Sequence, residues 1–129
     1  MRAVVVREWT DPENLTVDSL PARDPDAGEV RIAVHAAGLN FADTLIVAGK
    51  YQEKPPFPFS PGMEAAGEIE AVGAGVAGLK EGDRVMALTG HGGFAERCVT
   101  EAGRVLKIPD SMGFADASAF PVAYGTSHL

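Results

Sequence analysis

Cysteine is nearly absent from this sequence. Cys98 stands alone among 129 residues, so no internal disulfide can form and a reducing, cytoplasmic setting is expected. Its neighbours Arg97 and Val99, with no recognisable partner His nearby, make it a small buried strand residue rather than a catalytic thiol. Basic residues are also scarce, 11 against 18 acidic, and they are scattered singly along a chain of formal charge −7. Such a chain repels phosphate backbones at long range, which excludes nucleic acid as the main partner. No apolar run approaches the roughly 20 residues that span a bilayer. The opening Met1 to Glu8 meets charge too early for a signal peptide. Aromatic residues are only 7% of the chain. Internal repeats and low-complexity tracts are lacking.

What remains is a small, glycine- and alanine-rich chain, with 15 Gly and a hydrophobic fraction of 46%. That is enough for one ordinary domain, and the mix suits short strands and tight turns better than long helices. Strands are expected at Val4 to Arg7 and at Leu15 to Asp18, followed by a polar connector from Pro21 to Gly28. Glu29 to His35 carries the cleanest alternation, with Val30, Ile32 and Val34 on one face of an antiparallel strand.

The period then changes. Asn40 stands as a helix cap with Asp43 three positions on, the spacing of a reciprocal cap. Phe41, Leu45 and Ala48 are spaced four and three apart, and Gly49 follows as a stop, so about two turns of helix are expected. Pro55, Pro56, Pro58 and Pro61 remove too many amide donors for a ladder and predict a stiff covering loop. Further strands are expected at Met63 to Val72, where the interior Gly67 marks a bulge or a close backbone approach. Asp83 to Leu88, Phe94 to Thr100 and Arg104 to Ile108 follow, the last two split by a turn at Glu101-Ala102-Gly103. Phe114 to Phe120 is helical in composition. Together these elements imply a compact β-rich barrel or sandwich.

Gly73-Ala74-Gly75-Val76-Ala77-Gly78 matches the G-x-G-x-x-G string of dinucleotide-binding turns. That string works by delivering a pyrophosphate to the N-terminus of a helix. Here only Leu79, Lys80 and Glu81 separate it from the turn Gly82-Asp83 and the next strand pattern. It reads as a loop between strands.

Gly38-Leu39-Asn40-Phe41-Ala42-Asp43, Gly62-Met63-Glu64-Ala65-Ala66-Gly67, VGAGVAGLKEGDRV and Gly92-Gly93-Phe94-Ala95-Glu96, in that order, resemble the medium-chain dehydrogenase/reductase superfamily. The likeness is closest to its quinone oxidoreductase branch, the zeta-crystallin-like NADPH:quinone reductases, and covers essentially the whole chain. It implies a mainly β fold with short helices, the GroES-like partly open β-barrel of the catalytic domain, over residues 1–120. Residues 121–129 would open the linker to a Rossmann domain absent from this chain. The resemblance therefore implies the catalytic half of a longer, homodimeric enzyme, with NADPH held mainly by the other half.

Zinc-dependent members of the superfamily place a Cys just after the third long strand and a His after the Gly of Gly-x-Glu. Here those places hold Asn40, or its neighbours, and Met63, and a thioether is a poor zinc ligand. The four-cysteine structural lobe is missing, and His35, His91 and His128 lie far apart. No zinc is expected. Hydride transfer to a quinone or an α,β-unsaturated carbonyl, which needs little activation, then fits best.

By resemblance, Asn40 reaches the nicotinamide or the substrate carbonyl, Thr126 touches the cofactor, and Tyr51 walls the pocket and donates to the reduced oxygen. Leu45, Met63 and Glu64 line the pocket, and Leu45 stands where relatives often have a second Tyr. Each has a structural alternative: a helix cap for Asn40 and Thr126, a loop anchor for Tyr51, and an acceptor of backbone amides for Glu64. A non-catalytic interaction domain and an enoyl reductase module are the alternative readings of the chain.

Overall fold

The computed structural model describes residues 1–52 and 54–117. Among these residues, seven strands fall into two sheets. β1 (Arg2–Val5) and β2 (Thr16–Ser19) form an antiparallel pair, while a five-stranded sheet is built from β3 (Glu29–Gly38), β4 (Glu64–Val72), β5 (Arg84–Leu88), β6 (Arg97–Glu101) and β7 (Val105–Lys107). Its strand order is β6-β3-β4-β5-β7, and every pairing in it is antiparallel. Among the described residues no continuous ladder joins the two sheets. A bridge at Ala3 and Ala95 links them, reinforced by hydrogen bonds from Val4 N to Phe94 O and from Glu96 N to Arg2 O. The architecture is mainly β with short helices, a partly open barrel whose sheets do not close.

Alternation places the core as the sequence suggests. Val30 and Ile32 are fully buried with Ile69, Val85, Ala87 and Val105, and Val34 packs against them. The opposite face of the sheet carries a second cluster of Ala66, Met86, Ile108 and Ala117. β3 and β4 pair with two irregularities, which leave Glu70 and His35 without a partner in register. The second lets His35 turn outward and stack on Phe114 at 4.5 Å, with the Arg84 guanidinium 4.4 Å from the same ring's centre. Gly67 is a close approach, as expected: a Cβ there would strike the carbonyl oxygen of Ala33 on β3.

The fingerprint-like loop connects β4 to β5, and no helix follows it. Its glycines have local reasons. A Cβ on Gly73 would collide with the carbonyl oxygen of Asp26, and Gly75 and Gly78 sit at positive φ. The loop is tied by Gly73 N to Glu29 O at 2.8 Å and Gly28 N to Ala74 O at 2.9 Å.

Several boundaries differ from expectation. β1 begins and ends two residues earlier, and β6 starts at Arg97 rather than Phe94. Residues 94–96 divide their backbone groups: Phe94 O and Glu96 N bond to β1, Phe94 N donates to Pro61 O, and Glu96 O accepts from Val34 N of β3. The expected turn at residues 101–103 is a 3₁₀-helix, Ala102–Arg104. Among its described residues the proline-rich segment makes one bridge, Phe59 with Val6. Residues 114–117 are helical, closed by Ala117 N to Gly113 O. The remainder of that expected helix, the 120/121 boundary and Thr126 lie outside the described residues. No helix among the described residues is long and apolar enough to cross a membrane.

Cys98 is buried in β6, as its neighbours imply, and burial pushes its thiol up to about 12. Iodoacetamide at pH 8 should therefore alkylate the native chain on the order of a thousandfold more slowly than the urea-unfolded chain. Mass spectrometry of the two time courses measures this, and native labelling within tenfold of the unfolded rate would contradict the burial.

Candidate functional site

β3 ends at Gly38, and Leu39 and Asn40 turn the chain into α1 (Phe41–Val47). The short helix starts here because Asn40 and Asp43 form a capping box. Asp43 Oδ2 accepts from Asn40 N at 2.9 Å, satisfying an amide that the helix itself cannot. The expected apolar face is wrong, however. Phe41 is 77% exposed, and the helix buries Asp43, Ile46 and Val47 instead. Ile46 and Val47 meet Val6 and Phe59, so the packing partner chooses the face in a helix of only about two turns.

Asp43 does more than cap. It is only 2% exposed, and its Oδ1 accepts from Met63 N at 3.1 Å. Burial raises its carboxyl above the ordinary carboxylate range and the charge of Glu64 adds to this, while backbone amides of Asn40, Met63 and Gly62 oppose it. The carboxylate thereby staples α1 to the turn that opens β4. That turn is held from its other side too. Thr89 Oγ1 donates to Gly62 O at 2.6 Å, and Thr89 N donates to Met63 O at 2.7 Å. Thr89 escaped the sequence reading because it lies just past an apolar strand, and a lone Thr there carries no local signal of its burial.

Glu64 is the first residue of β4 and is equally buried, at 2% exposure. Its Oε1 accepts from Asn40 Nδ2 at 3.0 Å. The carboxylate lies over Gly38, where a Cβ would occupy the space of Oε1. Register explains the meeting, since Gly38 is paired with Glu64 in the β3–β4 ladder. Met63 and Tyr51 are half-buried and pack together against Val6, Ile46, Val47 and Phe59. The Tyr51 side chain makes no hydrogen bond among the described residues. Leu45 is half-buried on α1. Leu39 and Phe41, on either side of Asn40, are 81% and 77% exposed.

The structure thus joins Asn40 directly to Glu64 and, through Asp43, to the Met63 amide, with Tyr51 on the same apolar cluster as Met63. Among the described residues no three His, Cys, Asp or Glu side chains come together as a metal-holding group. Chemically the spot offers amide donors held by buried carboxylates. It presents no activated nucleophile, since the one thiol is buried elsewhere and held protonated.

Residues 26–110 match the family model of the alcohol dehydrogenase GroES-like domain. Over 128 residues the chain is 43% identical to rat quinone oxidoreductase-like protein 2, covering 99% of this chain and 36% of that protein. Among solved structures, the human synaptic vesicle membrane protein VAT-1 homolog-like protein superposes with a TM-score of 0.93 at 39% identity, covering 99% of this chain and 41% of the other. The NADPH complex of Escherichia coli quinone oxidoreductase gives 0.85 at 31% identity, covering 92% and 36%. The chain therefore spans little more than a third of the proteins it matches. With a mainly β catalytic-domain architecture and that match over most of its length, the chain belongs to the alcohol dehydrogenase GroES-like domain family, within the quinone oxidoreductase branch of the medium-chain dehydrogenases/reductases.

Proposed function

We propose that this chain is the catalytic domain of a zinc-independent, NADPH-dependent quinone oxidoreductase that reduces a quinone or an α,β-unsaturated carbonyl. The observation that carries the reading is the Asn40–Glu64 hydrogen bond of 3.0 Å beside Met63, a thioether where zinc-dependent relatives place an imidazole. The names of its relatives, quinone oxidoreductases among them, support the same reaction class.

The residues present suit a nicotinamide placed against Asn40. Its flanking Leu39 and Phe41 form an exposed apolar lip that a planar ring and a second domain would cover. NADPH, when bound, supplies the hydride. This chain would orient the acceptor. A primary amide has two N–H donors; Asn40 spends one on Glu64 and retains one for a substrate oxygen. Glu64, itself buried, fixes the plane of that amide. Leu45 and Met63 would form apolar walls, and Tyr51 would donate to the reduced oxygen. Cofactor contacts from Thr126 and a Rossmann domain beyond residue 129 complete the proposal, with residues 1–120 as the catalytic domain and the whole enzyme a homodimer.

The test is a steady-state assay of the full-length protein with NADPH against a panel of quinones and enones, with and without a metal chelator. Turnover unaffected by the chelator is expected. Loss of turnover on chelation, or none with any acceptor, would overturn the reading. The 129-residue chain alone is expected to show no saturable NADPH binding by fluorescence titration.

A further inference from the structure

A cleft of about 420 Å³ opens between the Leu20–Pro21 segment, the proline-rich loop and β6, and none of Asn40, Leu45, Tyr51, Met63 or Glu64 lines it. Its composition is unusual for a chain of net charge −7, because Arg23, Arg31 and Arg97 all line it. Arg23 is neutralised in place, with Nη1 and Nη2 on the two carboxylate oxygens of Glu29 at 2.8 and 3.3 Å. Arg31 is paired with two carboxylates and Arg97 with one. Their Nε atoms share a single acceptor, Glu70 Oε1, at 2.7 and 2.8 Å. Glu70 is the β4 residue left out of register by the bulge, so one half-buried carboxylate faces two guanidinium groups. The second acid on Arg31, Asp24, has a side chain 94% exposed and is screened by water. The terminal nitrogens of Arg97 meet no acceptor among the described residues. Counting Asp24 and Asp26 with Glu29 and Glu70, the three arginines carry no excess charge, and what the cleft offers an anion is the unpaired terminal N–H edge of Arg97, held in position by its Glu70 contact.

The proline-rich loop adds an apolar wall to the cleft. Pro56, Pro58 and Phe59 line it, and the Phe59 ring meets His91 edge-on at 6.1 Å. A flat apolar body matches these faces, and the volume falls within the range of small-molecule sites. Guanidinium groups with free N–H edges favour carboxylates bidentately. We propose that this cleft binds a small aromatic monocarboxylate, with its carboxylate on Arg97 and Arg31 and its ring against the proline-rich loop. A spherical anion would leave that wall wet, so inorganic phosphate is a poor occupant. The site is independent of the proposed reaction, and its failure would leave that reading untouched.

The test is an amide ¹H–¹⁵N titration of the 129-residue chain at low salt with 2-naphthoate, 2-naphthalenemethanol and inorganic phosphate. Naphthoate should give saturable shifts at residues 97–99 with a Kd of about 1 mM or tighter, and the neutral alcohol and phosphate should bind at least about tenfold more weakly. Arg97→Gln and Arg31→Gln should each weaken naphthoate about tenfold, while Glu70→Gln, which keeps an acceptor but removes the opposing charge, should tighten it severalfold. The same spectra report whether each variant is folded. No saturation by about 10 mM, equal binding of the alcohol or of phosphate, or a Glu70→Gln variant that binds no tighter would each overturn the proposal.

Discussion

Asp43→Ala is expected to lower the stability of the chain by about 4 kcal/mol, as several buried backbone amides lose their acceptor at once. The residue is 2% exposed and receives Asn40 N and Met63 N at 2.9 and 3.1 Å, with the Gly62 amide also directed to it. Alanine leaves these donors in a site that water reaches poorly, and it removes the reciprocal half of the α1 cap. Relief of a buried charge returns part of the loss, which keeps the figure below a simple sum. Urea unfolding followed by circular dichroism measures it, and a loss under about 1 kcal/mol would show that the turn holds without the carboxylate.

The same residue has a pH signature of definite sign. Its folded pKa lies above the ordinary 3.8, chiefly through burial. The native state therefore holds this proton more tightly than the unfolded chain. The contribution of Asp43 to stability is greatest below about pH 4 and declines as pH rises through the folded value, then levels off. Asp18, Glu29 and Asp83 act in the opposite direction. Their carboxyls are held low, the first two chiefly by Arg7 and Arg23 and the third by the Lys80 amide. Their contributions are present above the ordinary carboxylate pKa and vanish as pH falls through the folded values. Subtracting the pH–stability profile of Asp43→Asn from that of the parent isolates the Asp43 decline.

What the letters disclose depends on the range of the forces involved. The start of α1 was legible because a cap is made within four residues, Asn40 to Asp43. Its buried face was not. Phe41, Leu45, Ile46 and Val47 put apolar groups on more than one side of a seven-residue helix, and the choice falls to Val6 and Phe59. Likewise Val30, Ile32 and Val34 announced one face of β3, since alternation is local. The Asn40–Glu64 bond spans 24 positions and exists because the β3–β4 register brings Gly38 opposite Glu64. No pattern within either segment contains that register. The loop of Gly73, Gly75 and Gly78 shows the converse hazard, a motif whose letters are met for reasons of turn geometry and a neighbouring carbonyl.

Asn40→Ser in the full-length protein is expected to reduce kcat/KM for a quinone about a hundredfold while costing about 1–3 kcal/mol of stability, because buried Glu64 loses its Asn40 donor. Serine caps a helix as well as asparagine does, so α1 keeps its start. It cannot span the distance to Glu64 and still present a donor to substrate, so the amide's second role is lost. On the proposed reading, that donor aligns the acceptor oxygen while charge develops on it, and its removal should appear mainly in kcat rather than in KM. Asn40→Asp makes a sharper comparison. It also caps, but it turns a donor into an acceptor facing Glu64 Oε1, beside the buried Asp43. Three carboxyl groups then crowd one dry spot, so this variant should lose both activity and about 2 kcal/mol or more of stability unless one of the three takes up a proton. Its stability should accordingly recover as pH is lowered, and by more than that of Asn40→Ser. If Asn40→Ser instead keeps full activity, the residue is only a cap, and the donor to substrate must be sought at Tyr51 or in the rest of the enzyme.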